Sequence, residues 1–158
     1  MSNNGKEDVK NILLAEKKKC KTDANLAMIQ GSVGPKKFNI LEWSAIFKGP
    51  GNTPYEDGWF RLKLEIPKDY PKSRPIVQFI TPVLHPNISK DGKNICVTSL
   101  NEWEETRDIA EVVFSIFSML AFPCFEHGLN QDAITSHKND PLKYEQEVRD
   151  FTKKYAVI

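Results

Sequence analysis

Leu41-Glu42-Trp43-Ser44-Ala45-Ile46-Phe47-Lys48 and Phe60-Arg61-Leu62-Lys63-Leu64-Glu65-Ile66 flank the segment Gly49-Pro50-Gly51-Asn52-Thr53-Pro54, and this stretch decides the fold. In the second run Phe60, Leu62, Leu64 and Ile66 alternate with Arg61, Lys63 and Glu65. Successive side chains of a strand point to opposite faces, so this period marks a strand with one face in a core. The first run alternates Leu41, Trp43, Ala45 and Phe47 with Glu42, Ser44, Ile46 and Lys48, less cleanly because Ile46 is apolar. Between them, glycine and proline supply backbone angles that only a turn needs. A weaker strand is predicted at Leu26 to Gln30, and another at Ile76 to Ile80 after the turn-rich Asp69-Tyr70-Pro71. Consecutive strands with short connections pair antiparallel, because a parallel crossover needs a dozen or more residues. A four-stranded meander is expected.

Outward from the sheet, the pattern becomes helical. Val9, Ile12 and Leu13 predict one face of a short N-terminal helix, with Lys10, Lys17, Lys18 and Lys19 off it. The lysine run suits the negative end of a helix dipole, and reads either as a solvated end or as a surface for a partner. Ile109, Val112, Val113, Ile116, Phe117 and Leu120 form one apolar stripe that Pro123 ends. A last helix opens at Asp140-Pro141 and carries Tyr144, Val148, Phe151 and Tyr155 on one face. From Pro82 to Trp103 neither period holds; a loop so long in a small domain usually carries function. Helix, strands, long loop, then helices packed on one side of the sheet make an α+β arrangement in a single domain, 1–158.

Composition excludes several function classes. Lys and Arg total 22 against 21 Asp and Glu, a net charge of +1, so no electrostatic footprint for nucleic acid or anionic membrane exists. The apolar run Val112 to Phe122 is broken by Ser115 and Ser118 and falls short of the ~20 residues of a membrane span. Met1 to Asp8 is polar, unlike a secretory signal. Cys20, Cys96 and Cys124 are odd in number and widely spaced, so neither a disulfide framework nor a zinc pair is expected. The reading is a soluble protein of a reducing compartment, the cytoplasm, with the nucleus also open. Three scattered histidines supply no metal cluster, and no phosphate-binding glycine loop occurs, so no metal or cofactor is expected.

Cys96 lies near the end of the irregular loop, in Gly92-Lys93-Asn94-Ile95-Cys96. A lone cysteine is commonly a small buried hydrophobe, but a position in an ordered loop favours a reactive thiol. A phosphatase-type loop would need arginine where Glu102 stands, and His85 or His127 as a hydrolase base lacks an evident third partner. Cys20 and Cys124 are assigned no role.

His85-Pro86-Asn87, about ten residues before Ile95-Cys96, resembles the signature of ubiquitin-conjugating enzymes. Gly49-Pro50, Thr53-Pro54-Tyr55, Tyr70-Pro71, Pro75, Trp103 and a helix near Ile109 follow in that family's order, nearly along the whole chain. The resemblance implies that Cys96 accepts the C-terminal carboxyl of ubiquitin from an activating enzyme as a thioester and passes it to a substrate lysine, usually with a ligase. A thiolate both attacks a thioester and leaves well, so only moderate activation is required. Asn87 is implied either as donor to the oxyanion or as support for its loop, and His85 as a packing residue of the turn. A conjugating enzyme for another ubiquitin-like modifier, or a non-catalytic binder of this fold, also remains open. In the family the N-terminal helix meets the activating enzyme, which implicates Lys6 and Lys10.

The departures are informative. Val97 and Thr98 follow the cysteine where leucine and often an acid are usual, and Ser89 to Asn94 hold one extra residue. Phe122-Pro123-Cys124-Phe125 replaces Asp-Pro-Asn-Pro, and the acid that faces the incoming lysine falls at His127, with Glu126 beside it. Ligase contacts are implied at Lys72, which replaces a phenylalanine, and at Trp103, Glu104 and Glu105, where Ser-Pro-Ala usually follows the tryptophan. Unusual ligase preferences are expected.

Overall fold

The computed structural model describes residues 2–158, with the side chains of residues 2–4, 6 and 7 outside the description. The side chain of Lys6 therefore lies outside the description. The elements run α1 (Ser2–Thr22), α2 (Ala24–Met28), β1 (Ser32–Lys36), β2 (Asn39–Lys48), β3 (Trp59–Glu65), β4 (Ile76–Phe79), α3 (Thr98–Asn101), α4 (Ile109–Ala121), α5 (Gln131–Asn139) and α6 (Pro141–Tyr155). The four strands lie in sequence order and pair antiparallel throughout, the expected meander. Pairing Trp43 with Leu64, Ala45 with Leu62 and Phe47 with Phe60 puts the alternating apolar residues on one buried face. That face shares one apolar cluster with Val112, Val113, Ile116 and Leu120 of α4. Phe47 bridges the layers, its ring 5.9 Å from both Phe60 and Phe117.

The strand predicted at Leu26 to Gln30 is not a strand. Asp23 accepts a hydrogen bond from the Leu26 N–H (3.0 Å) and caps α2. Leu26 and Ile29 are buried three residues apart while Met28 is exposed, a helical rather than alternating burial. A capped turn thus overrode a weak β-pattern. Gln30 then turns the chain at φ 54, and the first strand is Ser32–Lys36, where Val33 pairs with Ala45. Its Pro35 is tolerated because the strand lies at the sheet edge, and the register slips just after it.

The N-terminal helix is longer than expected, 21 residues, and its buried face is Val9, Leu13 and Cys20 rather than Ile12, which is exposed. Glu16 is half-buried beside them, its Oε1 accepting from the Ile109 N–H at 2.8 Å. Burial pushes the Glu16 carboxyl above its usual range, against the lowering effect of that hydrogen bond. Lys19 pairs with Asp108, which also caps α4 by accepting from the Glu111 N–H at 2.8 Å. Two polar residues thus seat α1 on the first turn of α4. α5 was not anticipated, since Ala133 is its one buried residue and its pattern carries no stripe. In α6 Asp140 caps and Pro141 opens the helix as expected. Tyr144 and Val148 are buried with Thr152, whereas Phe151 is half-buried and Tyr155 exposed.

Asp108→Ala removes the α4 cap and the Lys19 pairing together. Urea denaturation is expected to report a loss of about 1–2 kcal/mol, at the upper part of the range for single caps; an unchanged midpoint would show that α4 is fixed by packing alone.

Candidate active site

The stretch from Pro82 to Trp103 is ordered by hydrogen bonds rather than by periodicity. Ile88 and Ile95 form an isolated antiparallel bridge. Inside it, Ser89 N–H donates to the Asn94 carbonyl (3.0 Å), and Gly92 N–H to that of Ser89 (2.9 Å). Asp91 Oδ1 accepts from Ser89 Oγ (2.7 Å) and from the Lys93 N–H (3.0 Å), closing the tip. Gly92 sits at φ +75 and its missing Cβ would lie 2.6 Å from the Phe79 carbonyl oxygen, so only glycine lets this tip dock on β4. The returning chain brings Cys96 N–H to the Asn87 carbonyl at 2.8 Å.

His85 is fully buried. Its Nδ1 accepts the Asn87 N–H at 3.0 Å, which leaves the proton on Nε2 to donate to the Met119 carbonyl, also at 3.0 Å. Burial pushes the imidazole down to about 4 although the Met119 carbonyl favours its charged form, so the ring is neutral at physiological pH. It joins the turn to the last turns of α4, the packing role expected from sequence.

Asn87 holds the opposite wall. Its Oδ1 accepts from the Cys124 N–H at 2.9 Å. Its Nδ2 donates to the carbonyls of Cys124 and His127, each at 3.0 Å. A primary carboxamide has two N–H donors, and both are committed to this loop. Pro86 adds its carbonyl, accepting from the N–H groups of Leu129 (2.8 Å) and Asn130 (3.1 Å).

Cys96 is exposed beside a groove of about 710 Å³ that runs along α4 past Phe114, Met119 and Phe122. His127 lines the same groove, whereas Glu126 is exposed and does not. Cys124, assigned no role from sequence, also lines it and is exposed. Sequence reasoning missed Asn101 as well: its Nδ2 lies 3.3 Å from Cys96 Sγ. The short α3 carries it there, and nothing in the periodicity announces that turn. Cys20 is buried, and burial with the nearby Glu16, Asp108 and Asp23 carboxylates pushes its thiol up to about 12. Among the described residues, no group of His, Cys, Asp and Glu is arranged to hold a metal, and no helix is long and apolar enough to cross a membrane.

The other candidate residues fall in two places. Trp103 is half-buried, its Nε1–H donating to the Pro71 carbonyl (2.8 Å) and its ring 5.9 Å from that of Tyr70. Exposed Lys72 on one loop and exposed Glu104 and Glu105 on the other thus adjoin this contact. Lys10 is exposed on α1.

Residues 13–152 match the family model described as ubiquitin-conjugating enzyme. The chain is 36% identical over 126 residues to a probable ubiquitin-conjugating enzyme E2 31 of Arabidopsis thaliana, covering 79% of this chain and 81% of the relative. It is 37% identical over 120 residues to ubiquitin-conjugating enzyme E2 2 of Yarrowia lipolytica, covering 75% and 79%. It is 34% identical over 145 residues to a probable ubiquitin-conjugating enzyme of Acanthamoeba polyphaga mimivirus, covering 90% and 91%.

The buried His85 sets a pH dependence of stability. An unfolded histidine takes up its proton near 6.5 and the folded one only near 4, so between these values the unfolded state binds more protons. Stability from this group is full above pH 6.5 and falls as the pH drops towards 4, by on the order of 3 kcal/mol. Urea midpoints measured from pH 7 to 4 should fall for the wild type, and less steeply for His85→Gln, whose amide does not titrate; parallel profiles would contradict the assignment.

Proposed function

The chain belongs to the ubiquitin-conjugating enzyme family, and on that premise we propose that Cys96 is its thioester nucleophile and residues 1–158 one conjugating core. Members of this family work between an activating enzyme and ligases, and this chain is an enzyme of that kind. The observation that carries the assignment is an exposed thiol, fixed through its own N–H by the Asn87 carbonyl at 2.8 Å, at the edge of a long groove.

Cys96 Sγ attacks the carbonyl carbon of the thioester joining ubiquitin's C-terminus to the activating enzyme; a new S–C bond forms and the activating enzyme's thiolate leaves. The groove along α4 takes the extended C-terminal tail. A substrate lysine, as the free amine, then attacks the same carbon; the C–S bond breaks, the Cys96 thiolate is released, and the nitrogen gives up one proton to solvent as the amide forms. The energy was stored upstream in the incoming thioester, so neither exchange needs a nucleotide or metal on this chain. Asn87 supports the loop, since both its N–H donors are occupied by carbonyls. His127, which shares the groove with Cys96, faces the incoming lysine. Lys10, with Lys6, is assigned to the activating enzyme, and Lys72, Trp103, Glu104 and Glu105 to the ligase. A thiol nucleophile keeps its function in a reducing compartment, so the cytoplasm and the nucleus are the expected locations.

Charging with ubiquitin and its activating enzyme tests the reading. Cys96→Ala should form no adduct, and Cys96→Ser an adduct that resists reducing agent, an ester in place of the thioester. A reducible adduct on Cys96→Ala would move the nucleophile to another cysteine, and no adduct on the wild type would point to another modifier or a binding-only role. His127→Ala should leave charging intact and slow discharge to free lysine several-fold, because its main-chain bond to Asn87 survives the change. Equal discharge rates would remove His127 from the mechanism.

A further inference from the structure

We propose that Asn101, rather than Asn87, donates the hydrogen bond that stabilises the oxyanion formed on the Cys96 thioester. The proposal rests on Cys96 being the nucleophile, as argued above. When an amine attacks a thioester, negative charge builds on the carbonyl oxygen, and a placed N–H donor near that atom lowers the barrier. The reaction therefore needs a donor that is close to Sγ and free to turn towards the substrate.

Three donors of the loop around the thiol are already engaged. The Asn87 carboxamide gives both N–H groups to carbonyls, at 3.0 Å to Cys124 and 3.0 Å to His127. Freeing either would leave a carbonyl of the wall loop without its partner. The Cys96 N–H is taken by the Asn87 carbonyl at 2.8 Å. The buried His85 donates to Met119. Asn101 is different. Its Nδ2 touches Sγ itself at 3.3 Å, and the residue is exposed. Sulfur is a weak acceptor, so exchanging it for an anionic oxygen two bonds away is favourable and needs only a small side-chain rotation.

A second observation places Asn101 on the path of the substrate. The groove along α4 ends at Cys96, and another groove of about 310 Å³ begins there, passing Arg74, Ile76 and Lys93. Cys96 and Asn101 are the two residues that line both. An acyl chain bonded to Sγ lies against Asn101 whichever groove it leaves by. The backbone fixes the donor at the root: α3 begins at Thr98, and the Asn101 N–H bonds the Val97 carbonyl at 2.9 Å, which holds the residue one turn from the thiol. Asn101 touches a reacting atom, so its role is catalytic; Asn87 positions the loop.

The test uses the full chain, charged with ubiquitin and purified as the thioester, so that charging rates do not enter. Single-turnover discharge to free lysine at constant pH is measured for wild type, Asn101→Ala, Asn101→Asp and Asn101→Gln, with thermal unfolding of each. Asn101→Ala and Asn101→Asp should discharge at least about 10-fold more slowly, a smaller loss than the roughly 10²–10³-fold of a water-excluded oxyanion donor because Asn101 is exposed. Asn101→Gln, which keeps an N–H donor on a longer arm, should recover part of the rate, and all three should unfold like the wild type. Discharge of Asn101→Ala within about twofold of wild type, or a wild-type rate for Asn101→Asp, would overturn the proposal. Cys96→Ala is run alongside: if it still charges, the nucleophile assignment fails and Asn101 with it, whereas an inert Cys96→Ala with an unaffected Asn101→Ala sinks the Asn101 proposal alone.

Discussion

One carboxamide ties the reactive end of this molecule together. Asn87 accepts the Cys124 N–H and donates to the carbonyls of Cys124 and His127, while its own main-chain carbonyl accepts the Cys96 N–H. The loop that follows α4 and the segment that carries the thiol are therefore held by the same residue. Each such bond contributes on the order of 1 kcal/mol net, but leaving buried partners unpaired costs more, so the set behaves as a unit. Asn87 is itself almost wholly buried, which excludes water as a competitor for these groups.

The constraint extends inward through His85. Its imidazole joins the Asn87 N–H to the Met119 carbonyl, and Met119 belongs to α4, whose apolar stripe sits on the sheet. At the far end of α4, Asp108 and the Ile109 N–H receive Lys19 and Glu16 of α1. The sheet fixes α4, α4 fixes the histidine, the histidine fixes the asparagine, and the asparagine fixes the two walls of the site. Rigidity is concentrated where no chemistry happens. The Cys96 thiol itself is left exposed, which its proposed role as a nucleophile that meets large protein partners requires.

This arrangement explains why unusual residues are compatible with the site. Asn87 grips main-chain atoms of the wall loop, so the side chains there can vary: Cys124 and His127 occupy positions whose backbone, not side chain, is required. The segment before the cysteine is also held by main-chain and tip contacts, because the Ile88–Ile95 bridge sets its register and Asp91 closes its tip. Trp103 and Pro71 are likewise locked together while Lys72, Glu104 and Glu105 remain free to change around them.

The sequence by itself determined the sheet and its direction, since alternation in Phe60–Ile66 and Leu41–Lys48 has no other packing solution when the connections are short. It also determined the α4 stripe, the cap of α6 and, through His85-Pro86-Asn87 and Cys96, the family. Tertiary structure decided what depends on atoms distant along the chain. Glu16 sits half-buried on α1 because its partner, the Ile109 N–H, is supplied from another helix, whereas the Asp23 cap that made α2 of a weak β-pattern and moved the first strand to Ser32–Lys36 is local, three residues from its partner. Asn87 left two roles open in sequence; only the positions of the Cys124 and His127 carbonyls reveal that its donors are taken. Asn101 was invisible because a polar residue in a short turn has no periodic signature, and its contact with Sγ exists only once the turn of α3 brings it back to the thiol. Patterns record which face of an element meets the core, whereas hydrogen-bond partners are fixed by the packing of whole elements, and the site is made of the latter.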